Sequence, residues 1–289
     1  MEQRCDGKAD CKDSSDESKC DILDHGIGYD KQIVPVDKET GRLEVSLSVE
    51  ILNVLDIKEV SEEVTIKLVL VREFYDNRLT YSNLKEDEDL NKLSHEEVDS
   101  LWFPEMLFYN LAKESNYDEF SFRREHTVVR NTTKPHFRSD LTFANNVYLY
   151  KGAEHMQRSK RETNIVWICN YDMRMYPFDT QICTMEFYVK EFKKVVLVPG
   201  NLTYGGPKLL TQYFVHNYWI CSSLLGSKHQ PGVIVILIFG RPLLGHILTV
   251  FIPTTILIVL AHMSKVFAED YVDMVIQVNF TALLVLATL

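Results

Sequence analysis

From Pro242 to Met263 the chain reads PLLGHILTVFIPTTILIVLAHM, a run whose only ionisable side chains are His246 and His262, bracketed by Arg241 and Lys265. A helix of about 20 such residues crosses the hydrocarbon of a bilayer, so the run predicts a membrane span over residues 242–263. The competing reading is a buried core helix, which would usually show a polar stripe. Pro253 inside the run predicts a kink and a freed backbone carbonyl. Charges are spread through residues 1 to 230, whereas the last fifty residues are mostly apolar. The expectation is a water-soluble part followed by membrane.

The part before the span reads as sheet. Residues 43–57 (LEVSLSVEILNVLDI) put apolar side chains at nearly every odd position, the period of a strand with one buried face. A second strand runs through Val64, Ile66, Leu68 and Leu70. Further β-branched and aromatic runs recur around 127–130, 141–150, 163–169, 182–189, 194–198 and 233–239, separated by polar loops. Many short strands with turn signals between them predict a mainly β fold, a β-sandwich of immunoglobulin-like architecture. The acidic stretch 84–100 (LKEDEDLNKLSHEEVDS) reads as helical or looped solvated surface.

A net charge of −10 with no basic stripe argues against a nucleic-acid partner. No Ser/His/Asp, metal-ligand or phosphate-loop spacing carries catalysis, and the nine histidines are scattered, so the chain reads as no enzyme. Met1 runs straight into Glu-Gln-Arg-Cys with no apolar leader, so sequence is expected to be missing upstream as well as beyond the last helix. The sequons at Asn131 and Asn201 are candidate glycosylation sites on surface loops.

The six cysteines fall in three groups: Cys5, Cys11 and Cys20; Cys169 with Cys183; and Cys221 alone. Local bridges in an oxidising compartment are the simplest account. Between Cys5 and Cys20 five carboxylates are packed, and a hard cation such as calcium would neutralise them. This stretch resembles the C-terminal half of a low-density-lipoprotein-receptor class A module. That resemblance implies calcium side chains from Asp6, Asp10, Asp16 and Glu17 and a bridge from Cys5 to Cys20. The alternative is an acidic, disulfide-tied tail without metal; either way residues 1–20 form an accessory segment.

Cys169 and Cys183 enclose thirteen residues with Tyr176-Pro177-Phe178-Asp179 near the middle. A bridge between them would limit the unfolded chain by about 3 kcal/mol. Spacing and interior resemble the signature loop of the Cys-loop pentameric ligand-gated ion channels. Further marks follow in order: Phe74-Tyr75-Asp76-Asn77-Arg78-Leu79 is similar to a W-x-D-x-R-L segment, and Trp102-Phe103-Pro104-Glu105 to a W-x-P-D element. Arg241 matches a basic residue before the first span. The resemblance covers about residues 30 to 289 and is strongest for invertebrate glycine- and GABA-receptor-like subunits. It implies an extracellular ligand-binding sandwich over 21–240 and a transmembrane region over 241–289, cut within its second helix.

That second helix can be read independently. Winding Asp273 to Leu289 as a helix puts Gln277, Thr281, Leu284 and Thr288 on one face, a polar stripe interrupted by a leucine. Five such stripes would line a wet pore with a leucine ring that gates by dewetting. The bland reading is threonines packed against neighbouring spans.

By resemblance, a small-molecule ligand binds between subunits in an aromatic box, where cation–π contact is available to an amine. The candidates are Phe74 on the complementary side and Phe108 or Tyr109, Tyr188, Tyr213 and Tyr218 on the principal side, each able to be core instead. Val71 stands where amino-acid receptors often carry an arginine for the ligand carboxylate, and no vicinal cysteine pair accompanies Cys221. Asp273-Met274-Val275 matches neither family selectivity motif. Glu269 and Asp270 favour cations, whereas Asp172 and Met173 resemble anion-type subunits; the reading leans to chloride.

The resulting expectation is a plasma-membrane, multi-pass channel subunit in a homo- or heteropentamer, with its N-terminal domain outside and no cofactor beyond the calcium of the accessory segment. The competing reading is a secreted or membrane-tethered binding protein that conducts nothing.

Overall fold

In the computed structural model the described residues are 8, 10–12, 21–25, 28–112, 121–132, 136–139, 146–225, 230–264 and 272–288. The chain divides into two compact units. The first holds Met1–Asn170, Ile182–Pro207 and Asn217–Leu237; the second holds Tyr171–Gln181, Lys208–His216 and Ile238–Leu289.

The odd-position apolar pattern after Leu43 becomes a long strand. In chain order the strands are β1 (Leu23–His25), β2 (Leu43–Lys58), β3 (Glu63–Phe74), β4 (Leu79–Ser82), β5 (Met106–Phe108), β6 (Ser121–Val129) and β7 (His136–Ser139). They continue with β8 (Asn146–Lys151), β9 (Met156–Ile168), β10 (Thr180–Val189), β11 (Val195–Tyr204), β12 (Phe214–Leu225) and β13 (Gln230–Gly240).

A five-stranded sheet runs β11-β2-β3-β9-β6, a second runs β1-β4-β8-β7, and a third runs β12-β13-β10-β5. The expected mainly β sandwich is what forms. In β3 burial alternates along its whole length, so Val64, Ile66, Leu68, Leu70 and Phe74 point inward. β3 and β9 pair antiparallel in unbroken register from Glu63↔Ile168 to Phe74↔Gln157. The interior is sealed by Trp167 and Phe187, whose ring centroids lie 5.3 Å apart and which are both fully buried. Burying such rings supplies much of a sandwich's stabilisation.

The acidic stretch is more than solvated surface. Residues Glu88–Asn91 form a 3-10 turn, and α1 (His95–Ser100) starts with a reciprocal cap between Ser94 and Glu97. The same Glu97 carboxylate accepts from the backbone N–H groups of Ile22 and Leu23, at 2.8 and 2.9 Å.

In the second unit α2 (Leu243–His246), a π-helical segment (Ile247–Phe251) and α3 (Ile252–Ser264) follow one another without a break, and α4 covers Val272–Thr288. Among the described residues no single helix is long and apolar enough to cross a membrane. The widened turn falls just before Pro253, whose missing N–H leaves a carbonyl one turn back without its helical donor. The Thr254 hydroxyl donates to the Val250 and Phe251 carbonyls at 2.8 and 3.0 Å, and the Thr255 hydroxyl to that of Phe251 at 2.6 Å. The side chains thus occupy acceptors that the wider turn leaves exposed.

Candidate functional site

β10 reads TQICTMEFYV, and its alternation sends Cys183, Met185, Phe187 and Val189 inward while Ile182, Thr184, Glu186 and Tyr188 face out. β5 pairs with it antiparallel, Phe108 opposite Phe187 and Leu107 opposite Tyr188. Phe108 therefore shares the inward side, its ring 5.4 Å from Trp167 and 5.6 Å from Phe187. Tyr109, one step further, is 58% exposed and donates its backbone N–H to the Glu186 carbonyl at 3.1 Å.

Asn110 fixes that step. Its amide donates to the Thr184 carbonyl at 2.7 Å, and its carbonyl oxygen accepts from the Glu186 N–H at 3.2 Å. The outward row therefore reads Tyr109 beside Glu186, Leu107 beside Tyr188, and Glu105 beside Lys190, the last pair joined at 2.8 Å. Burial holds the half-buried Glu186 carboxyl above its ordinary range, against a smaller opposing pull from the Thr184 hydrogen bond. A raised carboxyl pKa favours the folded state only while the group is protonated, and that advantage is lost as pH rises through the folded value. Glu186→Gln is thus expected to raise Tm at neutral pH and to leave it nearly unchanged below about pH 4. Melting curves at the two pH values check it.

The five-stranded sheet carries a second outward row. Phe74 is not on it: the strand's parity turns the ring inward, where it is 1% exposed and packs edge-on against Trp102 at 5.6 Å and Phe103 at 6.0 Å. The outward positions of β3 are Lys67, Val69, Val71 and Glu73, opposite Asn164, Glu162, Lys160 and Arg158 of β9. Lys67 meets Glu162 at 2.8 Å, and Arg158 meets Glu73 at 2.7 Å and Glu88 at 2.5 Å. Lys160 and Arg158 escaped the sequence reading; counting by twos along β3 and β9 would have found them. Phe74→Ala is expected to cost about 3–5 kcal/mol of stability and Tyr109→Ala under about 0.5 kcal/mol, read by urea unfolding.

The remaining aromatic candidates separate. Tyr218 is half-buried with its ring 5.6 Å from that of Tyr204. Tyr213 lies in the second unit, fully buried, with Arg241.

The bridge between Cys169 and Cys183 is present, with Cα atoms 5.0 Å apart. Within the loop it closes, the Asp179 carboxylate takes the Arg241 Nε at 2.8 and 2.9 Å, and the two side chains are 1% and 3% exposed. Arg241 also donates to the Tyr213 hydroxyl at 2.5 Å and to the Met173 sulfur at 3.2 Å. Its guanidinium lies 4.5 Å from the Tyr213 ring centre and 4.9 Å from that of Tyr176. Gln181 donates to Asp179 and to the Asp172 carbonyl, and its own carbonyl accepts the Asp172 N–H at 2.8 Å. A buried charge pair persists when its remaining polar atoms are satisfied in this way. At the exposed rim, hydrogen bonds from Arg174 hold the Asp172 carboxyl down at about 2.

On α4, Gln277, Thr281 and Leu284 are exposed, and the Thr281 hydroxyl bonds back to the Gln277 carbonyl at 2.8 Å. Thr288 is the last residue of that helix. Asn131 and Asn201 are both exposed. Of the calcium set only Asp10 is described, and it is exposed; Asp6, Asp16, Glu17, Cys5 and Cys20 lie outside the described residues. Among the described residues no cluster of three or more His, Cys, Asp or Glu could hold a metal ion. Cys11 and Cys221 are free thiols.

The family model for the neurotransmitter-gated ion-channel ligand-binding domain matches residues 18–200. Curated relatives include the glutamate-gated chloride channel of Drosophila melanogaster, 22% identical over 92% of this chain and 56% of its own length. The gamma-aminobutyric acid receptor subunit pi of Bos taurus is 25% identical over 86% of this chain and 52% of its own. The acetylcholine receptor subunit alpha-type des-2 of Caenorhabditis elegans is 26% identical over 58% and 26%. The chain thus spans from about a quarter to about half the length of these relatives.

Proposed function

The chain belongs to the family of neurotransmitter-gated ion-channel ligand-binding domains, a receptor class without enzymatic activity, and from that premise we propose that it is one subunit of a pentameric channel gated by an extracellular small molecule. The observation that carries the reading is the Cys169–Cys183 loop with Asp179 held by Arg241, which precedes Pro242, the capping residue of the helical segment. A loop so tied to the start of the helices is suited to bias a closed–open equilibrium.

The ligand lies where the outward row of Tyr109, Glu186 and Tyr188 on one subunit meets the row of Val69, Val71 and Lys160 on the next. Lys160, opposite Val71, supplies a cation near the position where amino-acid receptors carry arginine. The first span is the uninterrupted helical run of α2, the π segment and α3. At about 1.5 Å per residue, Leu243 to Ser264 is about 33 Å long, a bilayer's hydrocarbon thickness. α4 lines the pore with Gln277, Thr281, Leu284 and Thr288, and the chain sits in the plasma membrane with Asn131 and Asn201 carrying glycans outside.

The pore conducts anions. Support comes from the likeness over nearly the whole chain to a glutamate-gated chloride channel and from Asp172-Met173 in the loop. The test is the reversal potential of ligand-evoked current in cells expressing the full-length subunit, with amines, amino acids, protons and zinc as ligands. A tenfold change in external chloride is expected to move the reversal by about 59 mV. A reversal that follows sodium instead overturns the chloride assignment, and surface protein that is monomeric and silent to every ligand favours a tethered binding protein.

A further inference from the structure

A cleft of about 350 Å3 opens in the first unit, lined by Pro35, Val36, Asp37, Thr40, Arg42, Leu43, Glu44, Tyr75, Asn77 and Ala153, none of them a member of either ligand row. Its size lies at the small end of the range for small-molecule pockets. Both walls are braced without any ligand.

One wall is a hydrogen-bonded turn. The Asp37 N–H donates to the Arg42 carbonyl at 3.2 Å, and the Gly41 N–H to the Asp37 carbonyl at 2.9 Å, with Gly41 at a φ of 65° that favours glycine. The Asp37 carboxylate is used inside the turn, accepting from the Glu39 N–H and the Thr40 hydroxyl, both at 3.3 Å. The other wall rests on fully buried Asp76. A Cβ at Gly152 would stand 2.1 Å from the Asp76 carbonyl oxygen, so the backbones touch there. Asn77 ties the walls together by donating to the Val36 carbonyl at 3.2 Å.

What remains available has a definite chemistry. Tyr75 keeps 46% of its surface open, next to the apolar Pro35, Val36, Leu43 and Ala153. Arg42 and Glu44, two residues apart and flanking inward-facing Leu43, both stay exposed, and among the described residues neither is in an ion pair. A guanidinium that can take a carboxylate with two parallel hydrogen bonds, a carboxylate for an ammonium, and an aromatic face together match one ligand class.

The geometry points to this cleft as a second binding site, for a zwitterionic amino acid with a planar apolar side chain, its carboxylate on Arg42, its ammonium on Glu44 and its ring on Tyr75. A rigid, pre-formed cleft lets such a small molecule bind without ordering the protein first. Occupancy would act on ligand affinity elsewhere only through differential binding to the receptor's states.

The test is calorimetric titration of the full chain, purified in detergent, with L-phenylalanine, and with phenethylamine, hydrocinnamate and free glycine, which lack the carboxylate, the ammonium and the ring in turn. Saturable binding of L-phenylalanine is expected, about tenfold or more tighter than any of the three. Arg42→Ala and Tyr75→Ala, both at exposed positions that leave the melting curve intact, should each weaken it about tenfold or more. Arg42→Lys should fall between, because an ammonium cannot make the paired contact. Tyr109→Ala should leave this affinity unchanged, which separates the cleft from the ligand row. No saturation by about 10 mM, undiminished binding in both cleft variants, or loss in Tyr109→Ala alone each overturns the site.

Discussion

Arg241→Ala is expected to abolish evoked current and to lower stability by about 3–5 kcal/mol, because it strands the Asp179 carboxylate in a buried place with its principal cation gone. The wild-type guanidinium satisfies Asp179, the Tyr213 hydroxyl and the Met173 sulfur and lies against two aromatic rings, so no water-accessible partner substitutes for it. Asp179→Ala should be as harmful for the mirror reason, leaving a buried guanidinium. The informative variant is the double replacement Asp179→Leu with Arg241→Met, which removes both charges and keeps apolar volume. Stability should largely return while current does not, since the link between loop and helix start is then apolar and carries no directional pairing. Tyr213→Phe, which deletes one acceptor and keeps the ring, should cost about 1 kcal/mol. Thermal melts and surface biotinylation read the first quantity, and voltage clamp the second. Arg241→Ala with wild-type melting and current would mean that the pair is dispensable to both fold and gating.

The fold was legible wherever one face of a strand is buried and the other is wet. β2 and β3 stand out for that reason, and their alternation alone fixes which side chains enter the core. β12 was not anticipated: His216 and Asn217 are adjacent and both exposed, so the period of two breaks in the middle of FVHNYWICSSLL. Short strands such as β1, β4 and β5, of three or four residues, hold too few positions to display a period at all. The candidate site was half legible for a related reason. Tyr109 and Tyr188 came out on one outward row, but Phe74 was assigned by motif position rather than by strand parity. The parity set by Val64, Ile66, Leu68 and Leu70 already puts residue 74 inside and residues 69, 71 and 73 outside. The Arg241–Asp179 pair joins residues far apart in the chain, and each lies in a stretch whose local pattern says nothing of the other. Only the three-dimensional fold brings a carboxylate from a loop to an arginine at the edge of an apolar run.

The Cys169–Cys183 bridge should be the other large effect. The two cysteines are separated by 14 positions, and a loop of that size removes about 3 kcal/mol of freedom from the unfolded chain. Both are nearly fully buried, at 2% and 1% exposure, so Cys169→Ser adds a second cost by placing a hydroxyl and an orphaned thiol in an apolar setting. The single variant is therefore expected to lose surface assembly altogether, whereas the paired Cys169→Ala and Cys183→Ala change removes the polar penalty and retains partial assembly at lowered temperature. The Cys169 N–H still donates to the Glu62 carbonyl at 2.8 Å in either variant, so strand register at that end is not what fails. Size-exclusion chromatography of detergent extracts, together with a melt followed by the first unit's tryptophans, Trp102, Trp167 and Trp219, separates loss of assembly from loss of fold. If Cys169→Ser assembles and melts as the wild type does, the loop is held by the Asp179 and Gln181 contacts alone. The bridge is then an ornament of the extracellular compartment rather than a structural requirement.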